Sequence, residues 1–210
     1  MNSQAFLSLL QSEYDFTRAN AILSETNLKN CWKQWLTAEL VHMFNQLSCH
    51  SDEQGFIIQT DVHYPALVKT DKDPAYLSYQ TGKPATAVSE KRHGSRCDFS
   101  VTQGNQTLYC EIRGANKTLF AKNRDLGKFS ADIERIEALK AANSELNIFS
   151  IFVFYGALSG KEIEAFKPMD NSTRTSYVLD SGLTGSTSIA RLSHMDRNGD
   201  DRVCVAVFGV

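Results

Sequence analysis

The stretch RCDFSVTQGNQTLYCEIR, residues 96–113, decides the fold of this chain. Residues 96–102 and 107–113 are interpreted as two strands, and Gly104 and Asn105 lie at the centre of the four residues that join them. A Gly-Asn pair suits the two-residue type II′ turn, whose twist matches that of the flanking strands. The stretch therefore predicts a tight antiparallel β-hairpin.

The hairpin brings two acidic residues together. With Gly104 and Asn105 as the turn, Asp98 lies opposite Glu111, and strand alternation puts both side chains on one face of the sheet. Like charges directly opposite each other are destabilising unless something neutralises them. A divalent cation such as Mg²⁺, which prefers carboxylate and water oxygens, would do so. The alternative is a solvated face on which Arg96 and Arg113 hold the two acids.

An amphipathic helix is predicted upstream, over Leu28 to Leu47, from apolar residues at spacings of three and four. Glu39 falls within its apolar stripe, about 40° from Trp35 and Met43 on an ideal helical wheel. A carboxylate on a buried face is costly unless it is paired or binds a cation. Glu39 is therefore a third candidate ligand, with contact to solvent or to an arginine as the alternative.

Further elements flank the hairpin on both sides. A strand is expected at Phe56 to Val62, followed by a long loop or insertion over 65–94. A second amphipathic helix begins near Phe129, and the apolar run from Ile148 to Tyr155 is typical of a strand buried on both faces. The expectation is a single α/β domain, residues 1–210, with a core over about 28–155, an accessory portion over 156–210, and a closing strand at 203–208.

Charge is unevenly distributed along the chain. The net charge of -2 gives no global case for a nucleic-acid partner, but residues 83–128 hold nine basic and four acidic side chains. A basic neighbourhood around an acidic pair suits a metal site that acts on a phosphodiester. The six residues expected to bind nucleic acid are Lys91, Arg92, Arg96, Lys117, Lys122 and Arg124. A merely solvated surface is the alternative.

The composition is that of an ordinary folded protein of 210 residues with 42% hydrophobic residues. Its five cysteines form no CxxC pair, which indicates reduced thiols and neither a disulfide framework nor a zinc site. The sequence lacks an apolar run long enough to cross a bilayer and a recognisable signal peptide. We therefore expect a cytoplasmic protein.

The element order and three positions resemble the PD-(D/E)xK nuclease superfamily: Glu39 in WLTAEL, Asp98 in RCDFSV, and Glu111-Ile112-Arg113 in LYCEIRG. The resemblance implies a restriction-endonuclease-like core, with a mixed central sheet flanked by helices in αβββαβ order. It also implies that Asp98, Glu111 and Glu39 form the acidic cluster around Mg²⁺, for which Mn²⁺ can substitute.

Arg113 departs from the family pattern, because a lysine is expected at its position. Arginine stays protonated and cannot act as a base, although it can hold a phosphate with two hydrogen bonds. Lys128, or alternatively Lys117, is the candidate to fill the lysine's role. Asp132 and Arg135, one turn apart on the second helix, could face the site or make surface pairs with Lys128 and its neighbours, and the surface interpretation is favoured.

The resulting hypothesis is a magnesium-dependent endonuclease, a hydrolase that cleaves the phosphodiester bonds of DNA, with Arg113 and a lysine clamping the phosphate. The resemblance allows a homodimer, since two copies would be needed to cut both strands at once. One alternative is a catalytically impaired nuclease-like module that binds DNA or a protein partner. Another is a structural protein whose basic segment contacts a second protein.

Overall fold

The computed structural model describes residues 1–25, 32–50, 55–68, 75–116, 124–157, 175–182, 188–191, 194 and 200–209. Three helices precede the first strand: α1 (Ser3–Glu13), α2 (Phe16–Ser24) and α3 (Trp32–His50). Side chains cap the N-termini of α1 and α2. The side chain of Asn2 accepts a hydrogen bond from the backbone amide of Ala5 at 2.8 Å, and that of Asp15 accepts one from the amide of Arg18 at 2.9 Å. Such caps satisfy amides that the first turn of a helix leaves without a partner.

The rest of the described chain is mostly strand, with one further long helix, α4 (Arg124–Ala142). Before α4 come β1 (Ile57–His63), β2 (Ala66–Val68), β3 (Ala75–Ser78), β4 (Thr86–Val88), β5 (Arg96–Gln103) and β6 (Gln106–Asn116). After it come β7 (Asn147–Gly156), β8 (Thr175–Asp180), β9 (Ile189–Arg191) and β10 (Arg202–Gly209).

Seven strands form one mixed sheet in the order β1-β5-β6-β7-β10-β8-β9, and β2-β3-β4 form a small second sheet. The β1–β5 and β5–β6 pairs are antiparallel, whereas β6 and β7 run parallel. A parallel pair needs a long crossover, and α4 supplies it. The protein is thus of the α/β class with a mixed central sheet, as the sequence predicts.

The predicted hairpin register is confirmed. Phe99 pairs with Cys110, and every further pair toward the turn follows the same register up to Gln103 with Gln106. Gly104 has φ +58°, and Asn105 is not among the residues with positive φ. A positive φ at only the first central residue is the pattern of the type II′ turn.

Helices cover the two faces of the large sheet. On one face Leu40 and Phe44 of α3 pack with Phe99 and Cys110, in the same core as residues of α1 and α2. On the other face α4 contributes Ile136 and Leu139 to a core that also contains Ile148 of β7. Both faces of β7 are buried, as expected for the 148–155 run.

Two expectations about the outer parts of the chain change. The 65–94 stretch contains the small sheet and a 3₁₀ turn at Lys91–His93 rather than only a loop. The 156–210 portion places three strands in the large sheet, so it completes the central sheet instead of forming an appendage. The helix predicted over Leu28 to Leu47 corresponds to α3, and its predicted start at Leu28 lies outside the described residues. Among the residues that are described, no helix is long and apolar enough to span a membrane.

Candidate active site

Asp98 lies just beyond the last paired residues of the hairpin, Phe99 and Cys110. Its Oδ2 accepts the backbone amide of Ile112 at 2.7 Å, so the carboxylate is held against strand β6. Lys33, in the first turn of α3, places its ammonium 2.7 Å from Oδ1. The Asp98 side chain is 22% exposed and borders a cavity of about 390 Å³ between α3 and β1.

Glu111 is buried, with 6% of its surface exposed. Its Oε1 accepts a 2.5 Å hydrogen bond from the hydroxyl of Tyr64 and forms an ion pair with Arg135 of α4. Burial raises the pKa of Glu111, because desolvation outweighs the opposing effects of Arg135 and Tyr64. Glu111 is therefore a shielded carboxyl with two strong partners.

The two acids point toward different helical layers, which differs from the predicted shared face. Asp98 is paired with α3, whereas Glu111 is paired with α4 on the opposite side of the sheet. The regular ladder is interrupted beside Asp98: the β1–β5 pairing skips the Asp61 position, and Asp61 has φ +53°. Side chains alternate strictly only along regular strands, so alternation does not fix the direction of the Asp98 side chain at this irregular position.

Two side chains of α4 belong to this site, contrary to their interpretation as surface pairs. Asp132 forms an ion pair with Arg113 of β6, and Arg135 forms one with Glu111. Glu111 and Arg113 are two residues apart on one strand, and Asp132 and Arg135 are three apart on one helix. The four charges alternate in sign and join β6 to α4. The partners of the two acids are therefore Lys33 for Asp98 and Arg135 for Glu111, and not Arg96 and Arg113 as the alternative proposed.

Glu39 lines a different cavity from the one that Asp98 borders, and the structure does not bring it together with the two acids as one cluster. Arg18 of α2 pairs with Glu39 at 3.0 Å, beside a separate cavity of about 260 Å³ that His42 also lines. Within the described ranges no group of three or more His, Cys, Asp or Glu residues is arranged to hold a metal ion. The alternative predicted for Glu39, contact with an arginine, is therefore the one observed.

The basic residues predicted to bind nucleic acid lie in three parts of the chain: before and within β5, outside the described residues, and at the start of α4. Arg92 pairs with Glu90 at 2.6 Å, and Arg96 pairs with Asp61 and donates to His63 at 3.1 Å; Lys91 lines the same cavity as Arg96. Lys117 and Lys122 lie outside the described residues. Arg124 is the first residue of α4, and Lys128 is exposed on that helix.

Two residues of the site, Tyr64 and Lys33, were not considered from the sequence, and two more, Asp132 and Arg135, were interpreted as surface pairs. Tyr64 is fully buried and follows β1 directly, in a stretch with no recognisable motif. Lys33 resembles any exposed lysine at a helix start. Arg135 carried a signal, because it follows Asp132 by three residues, but such pairs are common on helix surfaces.

The raised pKa of Glu111 predicts a specific pH effect. In the unfolded chain this carboxyl ionises near its ordinary pKa, and in the folded chain it ionises only at higher pH. The contribution of Glu111 to the free energy of unfolding is therefore full at pH values below its ordinary pKa and falls as pH rises through the raised pKa of the folded state. We expect the melting temperature of the wild type, relative to Glu111→Gln, to decrease as pH rises from the ordinary pKa of a glutamic acid, about 4, toward neutrality.

Thermal unfolding of both proteins across that pH range measures the effect. Because Gln does not titrate, all other groups cancel in the difference between the two melting temperatures. A difference that stays constant with pH would show that Glu111 ionises as an ordinary exposed carboxyl.

Comparisons with known proteins identify no relative for this fold and site. No family model, no curated protein and no solved structure matches the chain. The class that the structure itself defines is an α/β protein with a mixed seven-stranded sheet and an acidic-basic site between strand β6 and its flanking helices.

Proposed function

We propose that this protein is a metal-dependent nuclease that hydrolyses phosphodiester bonds, with a PD-(D/E)xK-like site on strands β5 and β6. The observation that carries the proposal is the position of the Asp98 carboxylate, hydrogen-bonded to the amide between Glu111 and Arg113. The order of the elements supports it. Helix α3 precedes the neighbouring strands β1, β5, β6 and β7; the pairs β1–β5 and β5–β6 are antiparallel, and β6–β7 is parallel. Helix α4 connects β6 to β7. This is the αβββαβ order that the resemblance implies.

Asp98 fits a site for a hard cation such as Mg²⁺. Its carboxylate borders an open cavity, and its partner Lys33 is 51% exposed and can swing into solvent. Hard cations in proteins are commonly held by one or two carboxylates plus water and substrate oxygens.

Glu111 fits such a site only after a local change. Arg135 supplies the positive charge that now neutralises Glu111, so a cation at this carboxylate would take over that charge from the guanidinium. Asp132, which contacts Arg113, is a further carboxylate on α4. We therefore assign Asp98 as the cation ligand. Glu111 would join it only if its ion pair with Arg135 opened and its carboxylate turned toward Asp98, and Glu39 stays with Arg18.

The proposed chemistry uses Asp98 together with charged residues of β6 and α4. A bound divalent cation would supply a water of lowered pKa and would offset charge on the phosphate. Arg113 is held by Asp132 on one side and can present its remaining N–H groups to a phosphate oxygen. Lys128 or Lys117 would supply the further positive charge expected of the family lysine.

A second candidate function has its own supporting observation. Glu111, Arg135, Asp132 and Arg113 neutralise one another, and such a closed set can serve purely to fasten β6 to α4. A nuclease-like module with this set intact would bind DNA or a protein partner without cutting.

Plasmid cleavage by an Arg113→Lys variant separates the two candidates. A lysine restores the family residue, so the catalytic proposal predicts that Arg113→Lys cuts or nicks plasmid with Mg²⁺ or Mn²⁺ at least about tenfold faster than the wild type. Arg113→Gln, which removes the charge, is the matched control and should be slower than the wild type. If neither the wild type nor Arg113→Lys cleaves DNA while both bind it, the binding module is the correct assignment.

A further inference from the structure

Strand β1 forms one edge of the large sheet, and its outer surface is open. It is the terminal strand in the sheet order and is paired with β5. Ile57, Gln59, Thr60 and Asp61 are all exposed, and Ile57 keeps 62% of its surface. Edge strands are usually covered or otherwise protected, because their unpaired backbone groups can bind another chain.

Two cavities meet along this edge strand at Thr60. The first, about 390 Å³, lies between α3 and β1 and is lined by Lys33, Thr37 and Asp98 as well as Thr60. The second, about 450 Å³, extends from Thr60 along β1 to Tyr76, Lys91 and Arg96. We call the pair the edge groove; Asp98 lines its first cavity, and the basic residues Lys91 and Arg96 line its second.

The charges of the edge groove favour an anionic chain. Lys33 lies at one end and Lys91 and Arg96 at the other, against the carboxylates of Asp61 and Asp98. Asp98 is the proposed cation ligand, so a bound divalent cation would make the groove more positive. Lys33 is paired with Asp98 and Arg96 with Asp61, so the three cations and two carboxylates of the lining leave a net charge of +1. Cations spaced along a track match the repeated charges of a polynucleotide backbone rather than one small anion.

An aromatic ring lies among these cations. Tyr76 lines the basic end and packs against His63, with ring centroids 5.4 Å apart. Burial and the neighbouring charges of Arg96 and Lys91 lower the pKa of His63, which keeps that ring neutral beside the groove. Aromatic side chains in basic grooves stack the exposed bases of single strands, whereas the bases of a duplex are already stacked inside it.

We propose that the edge groove binds a single-stranded stretch of nucleic acid. Its phosphates contact Lys33, Lys91 and Arg96, one base stacks on Tyr76, and the strand passes Asp98. The inference deepens the proposed function, because it names single-stranded segments as the substrate class that the same site receives.

The test measures binding without cleavage. A fluorescent 12-nucleotide oligothymidine, the matching oligouridine and a duplex of equal length are titrated with the protein in EDTA at low salt, and anisotropy is recorded. The wild type should bind a single strand at least about tenfold more tightly than the duplex. The two single-stranded probes distinguish DNA from RNA as the source of the strand.

Four variants locate the binding surface. Tyr76→Ala should weaken single-strand binding about tenfold. Lys91→Gln and Arg96→Gln should weaken it and lower the slope of log affinity against log salt by about 0.7 each. Lys83→Gln is the matched control, since Lys83 is exposed, contacts Gln80 at 3.2 Å and does not line the groove. Melting temperatures close to that of the wild type show that each variant is folded.

The outcomes separate this inference from the nuclease assignment. Duplex binding as tight as single-strand binding, or equal losses for Lys83→Gln and Lys91→Gln, would overturn the groove, even if plasmid is cut. If single-strand binding depends on the groove residues but the protein never cleaves nucleic acid, the proposal of a single-strand groove is supported and the nuclease assignment is overturned.

Discussion

Replacing Asp98 by Asn should abolish cleavage of plasmid DNA, with a loss of about a thousandfold or more, which is the size expected when a catalytic cation loses its main ligand. Asn preserves the size of the side chain and an oxygen that can still accept the Ile112 amide, now 2.7 Å from Asp98. The variant removes the charge that a divalent cation needs. The fold should therefore survive while activity is lost.

The measurement is conversion of supercoiled plasmid to nicked and linear forms with Mg²⁺ or Mn²⁺. EDTA should stop the reaction of the wild type. Glu39→Gln is the matched control, because Glu39 pairs with Arg18 and lies beside a different cavity from Asp98. It should retain most of the activity. Cleavage that persists in Asp98→Asn would remove Asp98 from the site.

Replacing Arg202 by Met should lower the free energy of unfolding by about 3–5 kcal/mol, the usual cost of leaving one partner of a buried ion pair alone. Arg202 is 5% exposed and Asp180 is fully buried. The guanidinium donates to both carboxylate oxygens, at 2.7 and 2.5 Å, and to the carbonyl of Asp200 at 2.6 Å. The pair therefore fastens β8 to β10.

Urea unfolding of Arg202→Met and of the double variant with Asp180→Asn measures this contribution. The asparagine carries no charge and keeps an oxygen for the amide of Gly182, which now donates to Asp180 at 2.9 Å. The double variant should recover part of the lost stability. A double variant no more stable than Arg202→Met would mean that the uncompensated carboxylate is not the cause of the loss.

Local patterns predict the elements around the hairpin in this chain, whereas α1, α2 and the small sheet β2-β3-β4 had no predicted counterpart. The Gly-Asn turn sets the hairpin register, and the apolar 148–155 run becomes the buried strand β7. The position of β10 between β7 and β8 depends on pairing between distant segments, which no local pattern encodes. For the same reason the last third could not be recognised as part of the sheet.

The site was predictable only in part, because partners decide where charged side chains point. Opposed positions on the hairpin predict that Asp98 and Glu111 are close in the sheet, but not that Lys33 and Arg135 draw them toward different helices. A helical wheel places Glu39 near an apolar stripe, but it cannot show that α2 brings Arg18 to meet it. Both differences arise from contacts between elements.

Anomalous diffraction from crystals soaked in Mn²⁺ is the most direct test of the central claim, that Asp98 binds a catalytic cation. The nuclease assignment predicts an anomalous peak at the carboxylate of Asp98, with Lys33 displaced from its present position 2.7 Å away and Arg135 withdrawn from Glu111. An empty Asp98 at a Mn²⁺ concentration that supports cleavage, or a peak only at another position, would contradict it.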